Sequence, residues 1–247
     1  MKAVVLAAGR GRRMGGGTEN LPKCLMTLWG RTLLDHCLGG LQKAGFSPRD
    51  IGIVTGYRRE MLDAPGFSYF QNAEWESTNM FVSLTTASEW LRSEACVVSY
   101  SDIVFSPDAV MKLVASAREL SITYYAGFWE LWSERFQNPL DDLETFKQLG
   151  GNLLEIGKKP VSKEDVQGQY MGLLRFEPSG WDKVERAVKL PMPKTVDKLD
   201  MTTLLQHLID LGCPVEAIET GGPWFECDNM NDIEVYERLY PSNPVYF

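Results

Sequence analysis

The first 23 residues restrict this chain more than any other stretch. Residues 2–6 form a short apolar run suited to a buried strand, and the chain then breaks into a loop carrying Gly9, Gly11 and Gly15–Gly17 before Pro22 and Lys23. Small residues at Ala7, Ala8 and Gly9 let backbone N–H groups approach phosphate oxygens or a flat base with no Cβ in the way. Arg13 and Lys23 supply the charge that a triphosphate demands. The glycine triplet predicts a segment that stays mobile until nucleotide binds. Two other glycine signatures fail on inspection. The dinucleotide fingerprint needs a third glycine where Met14 stands, and a phosphate-binding P-loop needs Gly-Lys-Ser/Thr, which is absent.

Downstream, helical and strand patterns alternate. Leu34, Cys37, Leu38 and Leu41 share one helical face that Gly45 closes, and residues 51–54 and 67–71 read as strands. Met80, Phe81, Leu84, Ala87 and Leu91 form a second helical stripe, with Ser77 to Asn79 available to cap it. Residues 96–100 are strand-like, and Ser106-Pro107 opens a helix. Such alternation predicts βαβ units around a mostly parallel sheet. In the second half, strands are expected near 122–127, 153–156, 169–176, 215–218 and 224–227, with helices near 180–188, 201–211 and 231–239. With no repeat or linker, the chain reads as one domain, 1–247. Its halves are 1–127, binding nucleotide, and 128–240, binding the acceptor and completing a metal site. In such sheets the loops beyond the strands' carboxyl ends form the site, so the loops after residues 6 and 100 should meet.

Charge narrows the partners. A net charge of −8 argues against nucleic acid, which needs a basic face, yet a local cluster of Lys and Arg still serves a small anionic substrate. Five scattered cysteines with no CxxC pair argue against disulfides and a thiolate zinc site. No apolar run reaches the ~20 residues needed to cross a bilayer, and no leader is evident. A cytoplasmic protein with no membrane association is expected.

Three carboxylates stand at strand ends. Asp102 follows the strand at 96–100, and Glu226 and Asp228, two residues apart, should face one side. Carboxylates at a cleft mouth suit Mg²⁺, a hard cation that prefers oxygen ligands and substrate phosphates. An aspartate ending a strand also serves as a turn former or cap, and the residues alone leave both roles open. His36 and His207 lie on helices in no nucleophilic constellation and read as structural.

Leu6-Ala7-Ala8-Gly9-Arg10-Gly11-Arg12-Arg13-Met14 followed by Leu21-Pro22-Lys23 resembles the LAAGxGxRL…PK signature of nucleotidyltransferases that activate sugar or alcohol phosphates. The resemblance implies an α/β, Rossmann-like (GT-A-like) three-layer sandwich with a mixed, mostly parallel central sheet. It implies that Leu6, Ala7, Ala8, Gly9 and Gly11 hold the nucleotide, and that Arg13 and Lys23 grip its phosphates and are catalytic. Asp102 and Asp228 would clamp Mg²⁺, with Asp102 also touching nucleotide and Glu226 as a neighbouring ligand. Ser101-Asp102-Ile103-Val104 lacks the Asp-x-Asp of retaining glycosyltransferases.

The segment from Gln71 to Leu84 is similar to the one that follows the third strand in bacterial phosphocholine cytidylyltransferases. That likeness implies that Asn72, Asn79 and Ser83 line a cytosine and ribose pocket, while Asn79 can equally cap a helix. Leu131 to Lys147, Glu155 to Pro160 and Gln169 to Leu173 resemble cytidylyltransferases acting on phosphocholine, aminoalkylphosphonates and phosphoramidate. From these, Arg135 and Lys159 are candidates for the acceptor's phosphate, and Tyr170 for acceptor contact. Trp129, Trp132, Tyr170 and Trp224, with Glu144 or Asp141, would suit an ammonium cage or equally a core.

The implied reaction moves a cytidylyl group from CTP to the phosphate or phosphonate oxygen of a small acceptor and releases pyrophosphate, for decoration of surface or capsular glycans. The alternatives are a sugar-1-phosphate nucleotidylyltransferase using UTP or dTTP, and a non-catalytic nucleotide-binding module. A homodimer is compatible with either enzyme.

Overall fold

The computed structural model describes residues 1–245, Gly16 and Gly17 excepted; the expectation for the Gly15–Gly17 run therefore lies partly outside the described residues. The chain begins with β1 (Lys2–Ala7), a two-residue ribbon β2 (Thr27–Leu28) and β3 (Arg31–Thr32), and helix α1 (Leu33–Lys43). Thr32 caps α1 through a reciprocal bond with Asp35, and Gly45 follows at φ 104°, the left-handed turn that ends it. Next come β4 (Ile51–Thr55), β5 (Ser68–Gln71), α2 (Met80–Thr85), α3 (Ser88–Ser93), β6 (Cys96–Tyr100), β7 (Ile103–Phe105) and α4 (Pro107–Ala115). The second half adds β8 (Leu120–Tyr125), α5 (Phe128–Arg135), β9 (Phe146–Leu149), β10 (Asn152–Ile156), β11 (Gln169–Phe176) and α6 (Pro178–Ala187). It ends with α7 (Met201–Asp210), β12 (Glu216–Thr220), β13 (Trp224–Glu226) and α8 (Met230–Leu239).

Nine strands form one mixed sheet in the order β5-β4-β1-β6-β11-β8-β12-β10-β9. Pairings β5–β4, β4–β1, β1–β6 and β8–β12 are parallel, and the other four are antiparallel. The expected parallel pairing is therefore continuous from β5 through β6 and recurs beyond it between β8 and β12. Only β11 and β10 run against the rest, so seven of the nine strands still point one way. Period-two alternation separates the two faces: Ala3, Val5 and Ala7 pack with α1, α4, α5 and α8, whereas Val4, Leu6 and Ala8 pack with α2, α3, α6 and α7. The result is three layers with an apolar core on each side of the sheet.

The stripe from Met80 to Leu91 is two short helices rather than one. The hydroxyls of Thr85, Thr86 and Ser88 each donate to the carbonyl three residues back, offering the backbone an alternative to the helical ladder. Five elements lay outside the pattern reading: the short ribbon strands β2 and β3, and β7, α5 and β9. β7 matters most, because it pairs antiparallel with β13 in a separate ribbon at the rim of the main sheet.

Candidate active site

Register decides which loops meet. Leu6 pairs with Tyr100 in parallel, so the residues after β1 and those after β6 emerge at the same edge. In the rim ribbon Glu226 pairs with Ile103, and Cys227 N donates to Asp102 O at 2.9 Å. Asp102 and Asp228, 126 positions apart in the chain, are thereby brought to one end of that ribbon.

Lys23 lies between them. Its Nζ donates to Asp102 Oδ2 at 2.5 Å and to Asp228 Oδ1 at 2.8 Å, and its side chain is only 12% exposed. Burial opposes the lysine's charge, but the two carboxylates outweigh it and hold its pKa well above the usual lysine range. Burial likewise opposes ionisation of Asp228; Lys23 and then Arg13 overcome this and hold the carboxyl below its ordinary range. Arg13 Nη2 reaches the same Asp228 Oδ1 at 2.8 Å while remaining largely exposed. Gly11 is required here on two counts: its φ is +73°, and a Cβ would stand 2.6 Å from Lys23 Cβ. The lysine stem thus lies directly on the glycine loop.

Two clefts flank this lysine. The first, about 180 Å³, is lined by Leu6, Ala8, Gly9, Trp75, Ser83 and Ser101 among others, with Lys23 and Asp102 at one end. Gly9 has no atom within 4 Å of where a Cβ would be, so its backbone is open to a ligand. The second, about 260 Å³, contains Arg13 and Asp228 and is walled by Trp132, Asp142, Glu144, Asp200 and Glu226. Met80 and Tyr100 line both clefts.

The second cleft is acidic by construction. Burial raises the Glu144 carboxyl's pKa, a bond from Thr202 opposes this, and nearby Asp200 adds to it. Glu226 is pushed well above the carboxylate range by burial and then by Asp228 and Asp102, against the pull of Arg135 and Lys23. Asp142 accepts from the buried Trp132 indole at 3.0 Å.

The expected site residues divide accordingly. Leu6, Ala8, Gly9, Lys23, Asn79, Ser83 and Asp102 line the first cleft, and Arg13, Tyr170, Glu226 and Asp228 line the second. Ala7 is buried in the sheet, and Gly11 faces Lys23. Asn72 is 3% exposed and lines neither cleft, because its amide is consumed by bonds to Glu74, Thr78 and Ser83. Asn79 caps α2 through Met80 N while lining the first cleft. Trp132 and Tyr170 reach the second cleft, Trp224 is core stacked on Trp132, and Trp129 sits elsewhere under Lys163.

Two acceptor candidates are corrected. Arg135 is a core residue: its Nε and Nη2 bond the two oxygens of Asp232 at 2.9 and 3.1 Å with both side chains fully buried. Its guanidinium also lies 4.4 Å from the Trp132 ring centroid, and the residue lines neither cleft, so it does not meet an acceptor phosphate there. Asp232 in turn accepts from the backbone N–H of Asp228 and Asn229 at 2.7 and 3.0 Å. Arg135 thus anchors the loop that carries Asp228. Lys159 is exposed and donates to the carbonyls of Leu140 and Asp141 at 2.5 Å, and it lines neither cleft.

A metal would find oxygen ligands here. Asp102 Oδ1 is buried with no hydrogen-bond partner, and Asp228 is joined to the same lysine. Among the described residues, however, no three His, Cys, Asp or Glu side chains converge into a metal-holding group, so Glu226 does not complete a carboxylate trio. Two carboxylates with open positions suit Mg²⁺, which keeps waters and takes the rest of its ligands from substrate phosphates. The cysteines are no part of this chemistry. All five are free, and burial pushes Cys24, next to Lys23, up to about 12.

A mixed α/β sheet, a glycine-rich loop after the first strand and a lysine held between two carboxylates define a nucleotidyltransferase. The chain belongs to the MobA-like NTP transferase domain family, whose profile matches residues 3–144. It is 32% identical over 252 residues to CTP:phosphoglutamine cytidylyltransferase of Campylobacter jejuni subsp. jejuni serotype O:2, covering 95% of this chain and 98% of that protein. It is also 27% identical over 248 residues to glucose-1-phosphate thymidylyltransferase of Streptomyces griseus, covering 97% of this chain and 66% of that protein. Among solved structures, CTP:phosphocholine cytidylyltransferase from Streptococcus pneumoniae superposes with a TM-score of 0.69 at 21% identity, over 96% of this chain and 98% of that one. At that identity the likeness establishes the fold. Among the described residues no helix is long and apolar enough to cross a membrane.

Proposed function

We propose that this enzyme transfers a cytidylyl group from CTP to the phosphate or phosphonate oxygen of a small amino-bearing acceptor and releases pyrophosphate. The observation that carries the reading is the position of Lys23, bonded to Asp102 and Asp228 where a largely uncharged cleft meets an acidic one. The near full-length likeness to a CTP:phosphoglutamine cytidylyltransferase supports CTP as donor and puts phosphoglutamine first among acceptors, ahead of phosphocholine and aminoalkylphosphonates. Asp142, Glu144 and Asp200 line the second cleft, a wall suited to an ammonium group and unsuited to a neutral sugar. The setting we propose for this reaction is the cytoplasm, in the decoration of surface or capsular glycans.

The chemistry requires little beyond positioning. The acceptor oxygen is ionised near neutral pH, attacks the α-phosphorus in line, and the bond from that phosphorus to the β-bridging oxygen breaks. No general base is needed. Lys23 and Arg13, released from Asp228 when phosphates arrive, neutralise the charge that gathers on the transferring and leaving groups. Asp102 and Asp228 would hold Mg²⁺, which supplies further charge neutralisation when bound.

The test is pyrophosphate release measured for CTP, UTP and dTTP against phosphoglutamine, phosphocholine, 2-aminoethylphosphonate and glucose-1-phosphate. Preference for CTP with an amino-bearing acceptor is expected. Preference for UTP or dTTP with the sugar phosphate overturns the reading. Tight CTP binding with no pyrophosphate from any acceptor makes the chain a nucleotide-binding module instead.

A further inference from the structure

Two residues beyond β4, Tyr57 touches both ends of the glycine loop. Its backbone N–H donates to Ala8 O at 3.0 Å, where the chain leaves β1, and its hydroxyl donates to Glu19 O, where the loop returns. The Arg10 guanidinium lies 5.7 Å from the centroid of its ring. The ring of Trp75, which lines the first cleft, lies 5.1 Å from it at 57°. Arg58 follows with φ at +51°, a left-handed backbone uncommon outside glycine, and its Nη2 donates to Asn20 Oδ1 at 2.9 Å. Between these ties Thr18 Oγ1 donates to Gly11 O at 2.9 Å, closing the loop at its neck.

We infer that Tyr57, helped by Arg58, is a positioning residue for the donor's phosphates: it fixes both ends of the glycine loop, and through them Arg13, beside the first cleft. The neck bond sets the loop's own shape, whereas Tyr57 and Arg58 set its place. A loop placed in advance costs less ordering when a triphosphate binds. Neither residue lines a cleft, so both act through the loop and not on the nucleotide. The inference rests on the nucleotidyl-transfer reading of the site.

Tyr57→Phe removes one contact, the bond to Glu19 O, and keeps the ring against Arg10 and Trp75. Binding of Mg·CTP and of CMP to the whole enzyme, measured calorimetrically without acceptor, reads the effect. CMP carries the same base and ribose but lacks the β- and γ-phosphates. Tyr57→Phe is expected to weaken Mg·CTP about fivefold, the worth of one hydrogen bond, and to leave CMP within about twofold. Tyr57→Ala, which also loses the ring contacts, is expected to weaken Mg·CTP about 20-fold. Arg58→Met removes the Asn20 bond with Tyr57 intact. It is expected to weaken Mg·CTP about threefold to fivefold, and it decides the matter alone should the Tyr57 variants not fold. A CTP-to-CMP affinity ratio unchanged in Tyr57→Phe and Arg58→Met overturns the inference, whether both nucleotides bind as in the wild type or both lose equally. A wild type that binds neither nucleotide refutes the underlying reading instead.

Discussion

The two clefts that Lys23 links, lining the first and bonding Asp228 of the second, are built from opposite materials. The first is walled by Ala8, Gly9, uncharged polar side chains and the apolar bodies of Leu6, Trp75, Met80 and Tyr100, with its charge confined to Lys23 and Asp102. The second has one arginine facing five carboxylates, of Asp142, Glu144, Asp200, Glu226 and Asp228. A polyanion needs N–H groups and room, so glycine and alanine suit it; a cationic acceptor needs negative side chains, which must be carried on separate elements. The lesson is that one lysine bonded into both clefts lets each be shaped for a different charge.

The strongest way to break this contrast is at its hinge. Lys23→Ala should lower turnover by about 10²–10³-fold or more, the usual loss for one preorganised group at developing charge, with every acceptor alike. Near-normal turnover, measured by pyrophosphate release, would contradict the role assigned to Lys23.

Arg135→Met tests whether the acidic cleft holds a second phosphate-binding cation. As the buried partner of Asp232 it should cost about 3–5 kcal/mol of stability by denaturant titration, since Asp232 is left charged and buried. Unchanged stability with a raised acceptor KM would restore Arg135 as an acceptor ligand.

Glu144→Gln sharpens the comparison by touching one cleft only. Acceptor KM should rise about tenfold for amino-bearing acceptors, while CTP affinity stays within about twofold. An equal loss for CTP would mean that the clefts are not separate in function.

The pH dependence of stability offers a subtler check. Asp228 has its folded pKa below the unfolded value, so its pairing stabilises the protein above that unfolded value, about 3.9, and the benefit is lost as pH falls through the folded one. Wild type should exceed Asp228→Asn in melting temperature at pH 7, with the gap closing as pH falls below about 4. A gap independent of pH would contradict the pairing. The smallest effect is expected at Lys159, where Ala should leave kcat/KM within about twofold.

The same contrast explains how much could be read before folding. The nucleotide side is local in sequence: β1, the glycine loop and Lys23 fall within 23 residues, and the main strands follow from period-two patterning. The acceptor side is assembled from distant segments, Trp132, Glu144, Asp200 and Glu226, whose meeting depends on strand order β11-β8-β12-β10. Their place in the cytidylyltransferase-like segments, together with their charge, suggested Arg135 and Lys159 there, yet a lone cation in sequence does not reveal whether Asp232 or a pair of carbonyls already holds it. The α5 stripe of Phe128, Leu131, Trp132 and Arg135 at helical spacing was a usable sign that Arg135 faces inward. β7 is three residues long and carries no such sign, although it aligns Asp102 with Asp228.

The central claim, that Lys23 joins a nucleotide cleft to an acceptor cleft for nucleotidyl transfer, is tested most directly by following CTP labelled at the α-phosphorus in the presence of phosphoglutamine. The account predicts that the label moves into a new cytidylyl–acceptor diphosphate, with one pyrophosphate released for each molecule formed. Label found only in CDP or CMP, with no conjugate formed from any amino-bearing acceptor, would contradict it.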